Sequence, residues 1–190
     1  MFQKTVLFTV ICIAIFSCSP KKAEVKPAGN PEATYFSIAQ FTVDQWNTYH
    51  GQPYGIEKTT YIDGKTDSTL LDAYSMDWAA VFKVFFATDI SDPKFLGKYD
   101  FTMFEDNATS TRNFYYEAKD KELFTRKFQI SADQFTDKVR SIYIETEKKT
   151  RWSTVTQKLL YMPLKVISIQ EFEWSTGGEP KEMRVEYRFL

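Results

Sequence analysis

Cysteine is almost absent from this chain. Of 190 residues only Cys12 and Cys18 are cysteines, and both lie at the N-terminus. The rest of the chain therefore has no disulfide to lean on and must be stabilised by its core. Histidine occurs once, at His50, which excludes any site built from several imidazoles. Charge of one sign is missing too: 24 Lys and Arg stand against 25 Asp and Glu, for a formal net charge of -1. Nucleic acid is not an expected partner, because a basic footprint is the first requirement of such a protein. No G-x-S-x-G nucleophile turn occurs. The only Gly-rich stretch resembling a phosphate loop, Ser175-Thr176-Gly177-Gly178, leads from one predicted strand to another. A phosphate loop leads into a helix N-terminus, so a hairpin turn is expected instead.

Long apolar runs are scarce as well. The longest, TVLFTVICIAIF from Thr5 to Phe16, follows one basic residue and stops at Ser17-Cys18-Ser19-Pro20-Lys21-Lys22. A bilayer-spanning helix needs about 20 apolar residues. The run is too short for that and has the form of a signal peptide. An ordinary signal peptidase cut after Ser19 would leave Pro20 first, which is disfavoured. Ile15-Phe16-Ser17-Cys18 instead resembles the lipobox of bacterial lipoproteins. Phe16 stands where that family usually carries a small residue, a place at which Bacteroidota-type lipoproteins are looser. The resemblance covers about the first 18 residues and implies that 1–17 are removed and that Cys18 becomes a lipidated N-terminus. Two or more acyl chains hold a protein stably on its membrane, where one does not. Ser19 resembles an outer-membrane sorting signal, and Lys21 with Lys22 favours the periplasmic side over the cell surface.

Residues 18–34 hold Pro20, Pro27 and Pro31 among Lys21, Lys22 and Lys26, with little to bury. That composition predicts an extended linker, able to span up to about 50 Å at roughly 3.3 Å per residue. Residues 35–190 have the length of a single domain, with aromatics throughout. Phe36, Ala39, Val43 and Trp46 recur at helical spacing, and His50-Gly51-Gln52-Pro53 supplies a stop. GIEKTTYIDGKTDSTLL reads as a hairpin turning at Asp63-Gly64. A second helix is predicted between Asp72 and Ile90, capped by Asp72 or Ser75. From Tyr99 onward the period is two, over 99–105, 112–118, 123–130, 138–146, 152–161, 165–174 and 182–189. The short polar links permit only antiparallel neighbours. The expected fold is α+β: one or two N-terminal helices packed on a curved antiparallel meander of about seven strands, half-barrel-like in layout.

No catalytic residue, metal site or cofactor is expected. His50 is read as closing the first helix. Asp89 with Asp92, and Glu105 with Asp106, are read as turn and cap residues. Lys138, Arg140, Lys148, Lys149 and Arg151 are read as a solvated face. The stripe Tyr74, Trp78, Phe82 and Phe85 carries the functional question: it is either a core helix or, where the sheet does not close over it, an apolar groove for an acyl chain or similar ligand. Two roles follow for a membrane-anchored lipoprotein. One is a non-catalytic binding module for a lipid or other hydrophobic ligand. The other is an assembly accessory that contacts an envelope protein through a sheet edge, with the last strand as the candidate edge.

Overall fold

The computed structural model describes residues 35–190. The signal peptide, Cys18 and the linker read from the sequence lie outside the described residues. The chain forms a helix α1 (Ile38–Tyr49), a hairpin of β1 (Gly55–Ile62) and β2 (Lys65–Asp72), and a helix α2 (Trp78–Phe86). A meander follows: β3 (Tyr99–Asp106), β4 (Thr111–Ala118), β5 (Thr125–Asp133), β6 (Val139–Lys149), β7 (Ser153–Met162), β8 (Val166–Ser175) and β9 (Lys181–Phe189). All nine strands form one open antiparallel sheet in the order β2-β1-β9-β8-β7-β6-β5-β4-β3.

The α+β class is as expected, but the sheet has nine strands where about seven were read. The difference is the first hairpin, which joins the sheet because β1 pairs with β9 from Ile56↔Phe189 to Ile62↔Met183. The last strand is consequently interior. The free edges are β2 and β3, so the expectation of an edge at β9 is overturned. The hairpin turn is the predicted one: Asp63 and Gly64 both have positive φ, 46° and 80°, as a two-residue turn with this twist requires.

Cross-strand register gathers the core on one face. Tyr116, Phe128, Ile144 and Leu159 are successive partners across β4 to β7, and Ile130, Ile142, Tyr161 and Ile167 across β5 to β8; all eight are buried. Tyr161 is the hub under the helices. Phe41, Phe82 and Phe85 meet its ring edge-on at 5.7, 6.0 and 6.2 Å, a favoured aromatic geometry. Its hydroxyl donates to Gln45 Oε1 of α1 at 3.0 Å, which satisfies a polar atom that burial would otherwise penalise. The opposite face carries a row of alternating charge, with Glu117, Lys127, Glu145 and Lys158 as successive partners. Opposite charges placed across strands support pairing.

Both helices begin on local caps. Ser37 accepts from Gln40 N at 3.1 Å and Asp77 from Ala80 N at 3.0 Å. Asp72 and Ser75, expected to cap the second helix, do not. Asp72 ends β2, and its carboxylate takes the Ser75 amide at 2.7 Å in a local turn that competes with helix. Helix α2 therefore starts at Trp78. Its flanks carry the chain over the sheet face from the β2 edge to the β3 edge.

Candidate functional site

The expected stripe divides between core and surface. Phe85 is wholly buried, and Trp78 and Phe82 are nearly so. The indole of Trp78 donates to Ala73 O at 2.8 Å and its ring lies 6.0 Å from Phe189 of β9. Tyr74 is not on the helix. It sits in the turn before α2, is 68% exposed and donates to Gly51 O at 2.7 Å. The three helical members of the stripe thus pack on the sheet, as a core helix does.

A groove opens on the outer side instead, between α1 and α2. Its volume is ≈ 370 Å³, and Trp46, Trp78, Phe82, Phe86, Val43 and Asp77 are among the residues that line it. Volume and lining fall within the range of small-ligand sites, which are apolar with a few polar groups. Of the four predicted residues, Trp78 and Phe82 line it; Tyr74 and Phe85 do not.

The α1 wall arises from a second face of the helix. The sequence reading grouped Phe36, Ala39, Val43 and Trp46 by their helical spacing without assigning the face that meets the core. In the structure Ile38 and Thr42 are the buried residues of α1, with Phe41 half-buried against the core. Val43 and Trp46, three apart, form a second stripe turned toward α2 and remain 40% and 36% exposed. That i, i+3 pair was the signal available in the sequence. Trp46 is held from both sides. Its ring stacks on His50 at 4.5 Å and meets Trp78 at 5.9 Å.

His50 closes α1 as read: its backbone N–H and its Nδ1 both reach Trp46 O, at 2.9 and 2.8 Å. Asp89, three residues past α2, ties the start of α1 to the segment that follows α2. One carboxylate oxygen accepts from Ser37 Oγ at 2.8 Å and Ala39 N at 2.9 Å, the other from Ser91 N at 2.7 Å. Partial burial opposes its charge, and these donors override it, holding the carboxyl below its ordinary value.

The other candidates do structural work. Asp92 accepts from Lys94 N at 2.9 Å and Asp106 from Ala108 N at 2.9 Å, while Glu105 pairs with Arg112 at 3.2 Å. Of the basic residues, Arg140 pairs with Asp133 and Lys149 with Glu147 at 3.0 Å. Ser175 O accepts from Gly178 N at 3.1 Å, closing the β8–β9 turn. Among the described residues no three His, Cys, Asp or Glu gather as metal ligands, and no helix is long and apolar enough to cross a membrane.

Comparison with protein-family models, with curated proteins and with solved structures gives no match for this chain.

Proposed function

We propose that this chain is a lipoprotein of the bacterial envelope, anchored through acyl chains on Cys18, whose domain binds a hydrophobic ligand without chemistry. The observation that carries the binding is the α1–α2 groove. Two Trp and two Phe side chains converge there, and Trp46 and Phe86 keep apolar surface exposed. The anchor rests on the lipobox resemblance of Ile15-Phe16-Ser17-Cys18, and the favoured location is the outer membrane facing the periplasm.

The half-barrel layout belongs to the same reading. Seven strands spaced about 4.8 Å apart make a sheet about 29 Å wide, and two helices about 10 Å across cover about 20 Å of it. The helices meet Tyr161 of β7 and Phe189 of β9, and the segment before α1 extends the cover to β3, where Tyr35 meets Tyr99. A half-barrel is the shape we propose for a sheet covered this way.

Two substitutions test the two halves separately. Cys18→Ser is expected to release the protein from the membrane fraction; retention at the wild-type level contradicts the anchor. Trp46→Ala, which removes groove wall but little core, is expected to abolish ligand recovery while costing about 1–2 kcal/mol of stability. Unchanged recovery contradicts the groove.

The accessory reading survives at different strands. Leu70 on the β2 edge is 72% exposed, and Met103 and Phe104 on the β3 edge are also exposed. Unpaired edges of this kind accept an added strand. Crosslinking in the envelope that captures one protein through β2 or β3, with no ligand in the groove, favours this second role.

A further inference from the structure

The groove is lined by apolar side chains with two polar residues among them, Thr42 and Asp77. Asp77 is the only charged residue that lines it. Thr42, the one lining hydroxyl, is already committed to Ile38 O and Ala39 O, both at 2.9 Å. One Asp77 carboxylate oxygen receives the Ala80 amide, and the other has no partner among the described residues. The start of α2 contributes a partial positive charge of about half a unit, which the full negative charge of Asp77 outweighs. No cation forms an ion pair with Asp77 among the described residues. Lys83 of α2 and Lys58 of β1, whose ammonium lies 5.9 Å from the Tyr187 ring, neither line the groove nor pair with Asp77 among the described residues.

Two indoles complete the environment. Trp46 and Trp78 meet edge to face at 5.9 Å and both line the same groove as Asp77; His50 stacks on one face of Trp46 at 4.5 Å and Trp78 is nearly buried, so the accessible indole surface is mainly that of Trp46. Aromatic faces attract cations, Trp most strongly, and a carboxylate adds a charge-assisted contact. A carboxylate or phosphate head would meet repulsion there.

We infer that the groove selects an amphiphile with an alkyl body and a cationic amine head, with Asp77 and the Trp46–Trp78 pair receiving the head and Phe82, Phe86 and Val43 the alkyl body. This rests on the groove being a ligand site and specifies what that site takes.

The test is photolabelling of the full chain with three diazirine-bearing alkyl probes of equal length, an amine, an alcohol and a carboxylate, with labels mapped by peptide mass spectrometry. The amine is expected to label the peptides holding Val43 to Trp46 and Ala79 to Phe86 about ten-fold more than the carboxylate, with the alcohol between them. Asp77→Asn should lower amine labelling to the level of the alcohol. Asn caps helices as well as Asp does, so this variant keeps the start of α2. Asp44→Asn removes one charge from α1 outside the lining and should change nothing. Equal labelling by amine and carboxylate overturns the inference while leaving a hydrophobic site in place, as does an Asp77→Asn protein that keeps the preference. Absence of label on these helices from all three probes removes the ligand site itself.

Discussion

At the scale of single residues, the stripe through α2 separates side chains by what they touch. Phe85 is fully buried against Tyr161, so Phe85→Ala is expected to cost about 3–5 kcal/mol, measured by denaturant unfolding. Tyr74 lies in a turn with its ring in water, and Tyr74→Ala is expected to cost about 1 kcal/mol or less. Equal losses would contradict the division. Buried phenols give a second expectation. Burial pushes the Tyr99 hydroxyl from 10.0 up to about 12, and Tyr161 and Tyr143 move the same way, mainly through burial. The folded chain holds these protons more tightly than the unfolded chain does. Their contribution to stability is therefore complete below about pH 10 and is lost as pH rises through about 12. The thermal midpoint should fall over that window, less steeply in Tyr99→Phe; a flat midpoint contradicts it. Much of this scale was legible: the burial of Trp78, Phe82 and Phe85 followed from their spacing. Tyr74 was misplaced because Asp72 and Ser75, which look like a helix cap, close a local turn instead.

At the scale of elements, alternation and turn chemistry located the strands within a few residues. Asp63-Gly64 and Ser175-Thr176-Gly177-Gly178 turn where the sequence places turns. Gly64 has φ of 80° with no neighbour near its missing Cβ, whereas Gly178 makes only ordinary contacts and has no positive φ. Gly64→Ala should therefore cost about 1–2 kcal/mol through backbone strain alone, and Gly178→Ala much less. Comparable losses would show that space rather than conformation governs these turns. What sequence could not show was the β1·β9 pairing, which joins segments as far apart as Glu57 and Arg188. Local periodicity carries no record of such a partner, so the hairpin was left outside the sheet and β9 was read as an edge. The face of α1 was lost for a related reason. Two apolar stripes run along it, and only the position of α2 decides which meets the core.

At the scale of the whole molecule, the groove exists because two short helices cross one face of an open sheet and leave the seam between them uncovered. It belongs to neither helix alone, so only its Trp78 and Phe82 wall could be named beforehand. Trp46, Phe86 and Asp77 enter through the packing of the helices. The proposed lipid anchor and the domain are separate claims, and the domain's role turns on whether that seam is filled. The most direct measurement is native mass spectrometry, with solvent extraction, on a soluble chain beginning at Thr34 and purified without detergent, compared with its Trp46→Ala variant. The account predicts a reproducible bound mass of lipid size in the wild type that is absent from the variant. A wild-type protein free of ligand, with extracts matching those of an unrelated control protein, would contradict it.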